Sequence, residues 1–193
     1  MEVIAFNASP RKTGNTTNLV KAMLEGAESA GAETTNVRLH DINMKGCQGC
    51  YLCKKNPGVC ALKDDLTPSL HAIKDAKGII LGCPIYMYRV AGQMKCFVDR
   101  MYSWYPYKAE GPGYDSAVPP GKNYAMVISQ GAEDSDQYKR SARWLGGMAG
   151  TGLGMTEVGR IIHTNSADAP AKDNENLLEE ARVIGRKLVE NGS

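Results

Sequence analysis

Five short strand-like runs, separated by helical patterns, most constrain the fold of this chain. They lie at residues 3–6, 35–39, 78–84, 124–129 and 156–163. The first and third runs are almost continuously apolar, which is typical of parallel strands buried on both faces. Between the runs, apolar residues recur at helical spacing. Strands that alternate with helices predict an α/β fold, in which a parallel sheet carries helices on both faces.

The chain has the size and composition of one domain. A domain of 193 residues buries roughly 70% of the surface of its unfolded chain, so its core needs no cross-links. No repeat, low-complexity tract or linker divides the sequence, and we expect a single domain over residues 1–193. Within it, residues 44–65 form a cysteine-rich loop after the second strand, and residues 102–120 form an insertion rich in aromatic residues, glycine and proline.

Charge and hydropathy exclude several classes of protein. The net charge of +2 gives no support for nucleic-acid binding. No segment approaches the roughly 20 apolar residues of a membrane-spanning helix, and the apolar run at the N-terminus is too short for a signal peptide. We therefore expect a cytoplasmic protein, in a reducing compartment where clustered thiols more often serve metal or redox chemistry than disulfides.

The most specific motif is the cysteine run in the loop 44–65. Its spacing is C-x2-C-x2-C-x6-C, at Cys47, Cys50, Cys53 and Cys60. The cysteine ligands of iron–sulfur clusters come in short runs of this kind. The segment Asn56-Pro57-Gly58 predicts a turn that folds the fourth cysteine back toward the other three. Neighbouring lysines could offset the negative charge of a thiolate-bound cluster.

Three other interpretations of the cysteine run stay open at this point. A zinc site with four cysteine ligands usually joins two separated C-x2-C pairs, so a single short segment would make tetrahedral geometry cramped. Structural disulfides would suit a secreted chain. A redox-active dithiol, or cysteines retained by a chain that has lost its cluster, would also account for the pattern.

A second motif follows the first strand, in the loop 7–16. In open α/β sheets, ligands bind at the carboxyl ends of the strands near a topological switch point. Here hydroxyls, an amide, a guanidinium and the N–H groups of a helix start suit an anion, and Thr16 or Thr17 is expected to cap that helix. The loop lacks both the dinucleotide and the NTPase glycine patterns. It therefore suits the terminal phosphate of a mononucleotide, with an ordinary capped turn as the alternative.

Three segments resemble the flavodoxin-like NADPH-dependent FMN reductases: SPRKTGNT after the first strand, GCPIY after the third, and GQMKCFVDR in the next helix. The cysteine run, followed by Lys63-Asp64-Asp65, resembles the iron–sulfur flavoproteins of anaerobic archaea and bacteria. The resemblance covers nearly the whole chain. It implies a flavodoxin-like, doubly wound, five-stranded parallel sheet of order 2-1-3-4-5, with FMN at the switch point and a [4Fe-4S] cluster close to it.

The resemblance also implies the site residues. The FMN phosphate would be bound by Ser9, Arg11, Asn15, Thr16 and Thr17. The isoalloxazine ring would be lined by Pro84, Ile85, Tyr86 and Met87. A third contact loop would be formed by Ser129, Gln130 and Gly131. The cluster would be ligated by Cys47, Cys50, Cys53 and Cys60. No catalytic acid–base triad is indicated.

The function that follows is electron transfer by an oxidoreductase with two centres. A flavin accepts a hydride or single electrons and a cluster passes one electron at a time, so together they connect two-electron and one-electron carriers. The donor would be a ferredoxin-like protein or NAD(P)H, the acceptor a small molecule, and the protein a homo-oligomer (a dimer or a dimer of dimers). The alternative is an NAD(P)H-dependent FMN or quinone reductase without a cluster. A third hypothesis is a zinc-stabilised binding module.

Several residues carry no functional prediction. Cys83 and Cys96 are expected to behave as small hydrophobic residues. The three histidines show no metal-ligand spacing and are expected to be structural or exposed. Asp99-Arg100 reads as a surface or helix-end pair. The aromatic residues of 102–114 are expected at a subunit interface, where such residues are enriched.

Overall fold

The computed structural model describes residues 1–190. Its strands are β1 (Glu2–Asn7), β2 (Glu33–Arg38), β3 (Gly78–Tyr86), β4 (Arg89–Val90), β5 (Asn123–Ser129) and β6 (Thr156–His163). The main sheet has the order β2-β1-β3-β5-β6, with every neighbouring pair parallel. Counting these strands alone, the predicted order 2-1-3-4-5 is confirmed. The short β4 pairs antiparallel with the last two residues of β3, Ile85 and Tyr86.

Helices cover both faces of the sheet, as predicted. They are α1 (Asn15–Ser29), α2 (Thr67–Ala72), α3 (Gly92–Arg100), α4 (Lys139–Gly147) and α5 (Glu175–Lys187). Short 3₁₀ turns lie at Leu52–Lys54, Met101–Trp104 and Ala171–Asp173, and one π turn at Met148–Gly152 continues α4. Within residues 1–190, no helix is long and apolar enough to cross a membrane.

The central strands β1, β3 and β5 supply side chains to two separate cores because successive residues point to opposite faces. Val3 and Ala5 pack with α1 and α5. Ile4 and Phe6 pack with α2, α3 and α4, where Phe6 stacks on Phe97 with ring centroids 4.1 Å apart. The two cores hold the central strands rigidly, so the loops at their carboxyl ends start from defined positions.

The start of α1 differs from the prediction. The N-cap position is Gly14, and no side chain caps the helix. Thr16 and Thr17 lie within its first turn, so the prediction that one of them caps the helix is wrong. Both hydroxyls bond to groups outside the helix, at Ser129 and at the carbonyl of Arg11. The first turn is therefore joined to the loops that surround it.

Candidate functional site

A cavity of about 260 Å³ lies at the carboxyl ends of the central strands. All but two of the residues that the resemblance implied for FMN line it: Ser9, Arg11, Asn15, Thr16, Pro84, Ile85, Tyr86, Ser129, Gln130 and Gly131. They lie at the carboxyl ends of three strands: in the loop after β1 and the first turn of α1, in the last residues of β3, and at the end of β5 with the two residues that follow it. Since β1, β3 and β5 are neighbours in the parallel sheet, their carboxyl ends meet at one edge.

The loop after β1 is shaped by its own side chains. The Asn7 Oδ1 atom accepts a hydrogen bond from the Ser9 N–H at 3.0 Å, and Asn7 Nδ2 donates to Thr17 Oγ1 at 3.2 Å. Thr17 Oγ1 in turn donates to the Arg11 carbonyl at 2.8 Å. Thr17 is fully buried and does not line the cavity, so its hydroxyl holds the loop in shape from beneath.

Asn15 links this loop to a segment that sequence analysis missed. Its Nδ2 donates to the carbonyl of Ser166 at 2.6 Å, and its Oδ1 accepts from the Ala171 N–H at 2.8 Å. Ser166 and Ala167 also line the cavity. They follow β6, the neighbour of β5 in the sheet, and that position in the predicted strand order was the signal that could have identified them.

The hairpin between β3 and β4 borders the same cavity. Both residues at its tip, Met87 and Tyr88, have positive φ angles, of 45° and 68°. This conformation costs L-residues about 1–2 kcal/mol each, and such strain is found preferentially at functional sites. Met87 is 86% exposed and is the second implied FMN residue that does not line the cavity. The base of the hairpin is held by Cys83, whose Sγ accepts from the Ala91 N–H at 3.2 Å.

The four clustered cysteines line one separate cavity. Cys47 and Cys50 are exposed, whereas Cys53 and Cys60 are half-buried. The predicted turn before Cys60 forms: Gly58 has a φ of 83°, and the Val59 N–H donates to the Asn56 carbonyl at 3.1 Å. This turn brings the fourth cysteine back to the other three.

Arg100 lies against the fourth cysteine. It ends α3, as the helix-end alternative predicted, but the surface alternative is wrong for it. The side chain is 1% exposed. Its Nε donates to Cys60 Sγ at 3.0 Å, and Nη1 donates to Asp64 Oδ2 at 2.7 Å and to the Lys45 carbonyl at 2.9 Å. Burial opposes ionisation of Asp64, but hydrogen bonds from Arg100, the Lys45 amide and Thr67 outweigh it and lower the pKa of Asp64 to about 2. A buried ion pair thus closes one side of the thiol cavity.

Lys54 attaches the aromatic insertion to the cysteine loop. Its Nζ donates to the carbonyls of Tyr102 (2.9 Å) and Tyr105, and it lies 3.2 Å from the centre of the Tyr102 ring. The Tyr114 ring is also within reach, at 5.0 Å. Burial raises the pKa of the Cys53 thiol, with neighbouring Lys54 acting in the opposite direction. The insertion therefore packs against the cysteine loop of its own chain.

A model of a known family, described as NADPH-dependent FMN reductase, matches residues 1–161. The chain belongs to this family. An iron-sulfur flavoprotein of Methanocaldococcus jannaschii is 42% identical to it over 100 residues, which cover 52% of this chain and 51% of the relative. One from Archaeoglobus fulgidus is 33% identical over 101 residues, covering 52% and 46%. The chain spans about half the length of the curated relatives it matches.

Solved structures show the same fold at low identity. An NAD(P)H:quinone oxidoreductase from Methanothermobacter marburgensis has a TM-score of 0.74 at 20% identity, over 100% of this chain and 99% of that one. An FMN-dependent NADH-azoreductase from Bacillus anthracis has a TM-score of 0.71 at 15% identity, over 98% and 99%. The expected flavodoxin-like fold and membership of an FMN-dependent oxidoreductase family are confirmed.

The polar cavity has the chemistry that this family's cofactor requires. The N–H groups at the start of α1 attract anions, because helix N-termini carry unbonded donors and a partial positive charge. A Cβ atom on Gly14 would lie 2.8 Å from Arg11 Cβ and 3.4 Å from Ser9 Oγ. The absence of a side chain at Gly14 therefore leaves its backbone accessible to a phosphate. The residues present fit FMN.

The four thiols share one narrow cavity of about 20 Å³. Within residues 1–190, no three Cys, His, Asp or Glu side chains are arranged to hold a metal ion. A zinc ion needs its thiolates at about 2.3 Å from one point, and this arrangement gives the zinc interpretation no support. The four thiols around one cavity, with Arg100 at one side and Lys54 behind Cys53, have the chemistry expected for a negatively charged iron–sulfur cluster.

Proposed function

We propose that this chain is an electron-transfer flavoprotein with two centres, FMN and a [4Fe-4S] cluster. One observation carries the proposal: in the described part of the chain, the polar cavity at the ends of the strands is separate from the cavity lined by four thiols. The relatives named iron-sulfur flavoproteins support the same combination. Bound FMN would accept a hydride or single electrons, and the cluster would exchange one electron at a time.

Each cavity has a defined set of binding residues in this proposal. The FMN phosphate is bound by Ser9, Arg11, Asn15 and Thr16. The ring is lined by Pro84, Ile85 and Tyr86, and a third loop contributes Ser129, Gln130 and Gly131. The cluster is ligated by Cys47, Cys50, Cys53 and Cys60. Thr17 supports the phosphate loop from beneath, and Met87 lies at the tip of the hairpin outside the cavity.

We propose electron transfer from a ferredoxin-like protein or NAD(P)H to a small acceptor. The protein would be a cytoplasmic homo-oligomer, a dimer or a dimer of dimers. The exposed hairpin residues Tyr86, Met87 and Tyr88 support self-association next to the FMN cavity, because large exposed apolar side chains mark interaction surfaces. Neither nucleic acid nor a membrane is among the proposed partners.

The test is the composition and visible spectrum of anaerobically purified protein. We expect flavin bands over a broad shoulder that reductant bleaches, with about four iron atoms and four sulfides per FMN. Cys50→Ser should lose the iron and keep FMN. Cys96→Ser is the matched control, a half-buried thiol outside the run, and should keep both. Iron content that is unchanged in Cys50→Ser would refute the cluster assignment.

A second candidate function is an NAD(P)H-dependent FMN or quinone reductase without a cluster. It is favoured by the lack of any arranged metal-binding group in the described part of the chain. An iron-free preparation that oxidises NADPH at a rapid, steady rate, and whose rate is unchanged in Cys50→Ser, would support this candidate over the first. In that case the four thiols would be retained without a ligand or used as a redox-active dithiol.

A further inference from the structure

One wall of the thiol cavity is formed by the junction between α3 and the 3₁₀ turn that follows it. Arg100 ends the helix and Ser103 lies in the turn Met101–Trp104, and both line the cavity with the four cysteines. Residues three apart in a helical segment project from the same side. This junction therefore carries two hydrogen-bond donors, a guanidinium and a hydroxyl, next to one another.

The Arg100 donor is already used by a thiol. Its Nη1 and Nη2 groups are occupied by Asp64, the Lys45 carbonyl and Thr67. These bonds fix the plane of the guanidinium and direct the Nε–H at Cys60 Sγ, 3.0 Å away. A hydrogen bond to the cysteine run is thus built into the folded chain.

The Ser103 donor has no partner. The residue is 2% exposed, and its Oγ atom is buried without a hydrogen bond to any group in the described part of the chain. Its backbone is held in place, because its carbonyl accepts from the Gly58 N–H at 2.8 Å, in the turn before Cys60. A buried hydroxyl without a bond costs free energy, and such groups in native proteins commonly contact a bound water, ion or ligand.

We propose that the Ser103 hydroxyl donates a hydrogen bond to a sulfur atom of the group bound by the four cysteines and raises its reduction potential. The inference rests on the proposed cluster. Reduction adds one electron from an external donor and breaks no bond, so the sulfur atoms gain negative charge. A donor that faces them stabilises the reduced state more than the oxidised state. Arg100 acts on Cys60 in the same direction.

The decisive variant is Ser103→Ala, which removes only the hydroxyl group and adds no bulk to the cavity wall. In the anaerobic cluster-containing protein, we expect the midpoint potential of the cluster to become more negative. Only the difference in bond strength between the two oxidation states is lost, so the equilibrium constant for reduction should fall by at most about fivefold. A redox titration followed by visible and electron paramagnetic resonance spectra measures this shift. Ser29→Ala removes a hydroxyl at the end of α1, away from the cavity, and should leave the potential unchanged.

If the Ser103 hydroxyl had only a structural role, removing it would lower the melting temperature even in protein without a cluster. The proposal makes the opposite prediction. In cluster-free protein, Ser103→Ala should melt at the same temperature as the parent chain or higher, because no bond within the described chain is lost. Two results would overturn this inference and leave the proposed function standing. One is a lower melting temperature of the cluster-free Ser103→Ala variant, and the other is an unchanged cluster potential in Ser103→Ala protein with full iron content. Parent protein without iron or sulfide after anaerobic purification overturns the proposed function, and the inference with it.

Discussion

Gly58 offers a sharp test of how the cysteine loop is held. It occupies the turn before Cys60 with a φ of 83°, a region that side chains with a Cβ rarely adopt. A Cβ atom at this position would lie 2.8 Å from Cζ3 of Trp104, whose ring is 3% exposed and packed in the core. Gly58→Ala therefore adds both backbone strain and a steric clash.

The two contributions can be estimated separately. A residue other than glycine in the left-handed region costs about 1–2 kcal/mol, and overpacking a core costs about 1–3 kcal/mol. The sum, about 2–5 kcal/mol, corresponds to a fall in melting temperature of about 4–20 °C for a chain of this size. Because Cys60 follows two residues later, we also expect a lower iron content per FMN in anaerobic preparations.

Gly111→Ala is the matched control for this variant. Gly111 has a φ of 76°, but a Cβ atom there would have no neighbour within 4 Å. The Gly111→Ala variant should lose stability only through backbone strain, about 1–2 kcal/mol, and should keep its iron. Thermal unfolding of both variants separates the two effects. Equal losses in Gly58→Ala and Gly111→Ala would refute the role given to Trp104.

Three further predictions concern the sites and their supports. The pKa of Asp64 is about 2 in the folded chain, against its ordinary 3.8. Its ionised form should therefore contribute about 2 kcal/mol to the free energy of unfolding above pH 4, and this contribution is lost as the pH falls toward 2. Urea unfolding between pH 4 and 2 measures the loss. Thr16→Val and Thr17→Val should each lower stability by about 1–3 kcal/mol, because each hydroxyl has a hydrogen-bond partner, Ser129 or the Arg11 carbonyl; Thr16→Val should in addition weaken FMN binding about fivefold, the larger effect of the two, which flavin fluorescence titration measures. Lys54→Met should speed amide hydrogen exchange in residues 102–114 and cost about 1–2 kcal/mol.

Each of these predictions has a control and a contrary outcome. Asp64→Asn should remove the acid-dependent part of the stability, and an unchanged slope between pH 4 and 2 would contradict the assignment to Asp64. Equal effects of Thr16→Val and Thr17→Val on FMN affinity would place both hydroxyls at the phosphate. Lys55→Met is the control for Lys54→Met because Lys55 is exposed, and similar exchange rates in the two would argue against the lysine–tyrosine attachment.

Local patterns were sufficient for the sheet and for the anion-binding loop at its edge. Apolar runs alternating with helical spacing specify a parallel sheet, and the carboxyl ends of its strands must share one edge. The residues themselves indicated the anion-binding loop after β1, whereas the resemblance to FMN reductases implied the cavity residues at the ends of β3 and β5. The turn at Gly58 was also predictable, since proline fixes φ at the second position of such a turn and glycine permits the positive φ at the third.

Tertiary structure alone decided which of these residues face the ligand cavities. Thr16 and Thr17 are adjacent and chemically identical, yet only Thr16 lines the cavity, because the helix rotates the next hydroxyl toward the Arg11 carbonyl. Arg100 looks like any arginine at a helix end. Its burial depends on Asp64, 36 residues away in sequence, and on Cys60, 40 residues away. Such distant partners leave no local periodicity, so the donors around the thiol cavity emerge only when the chain is folded.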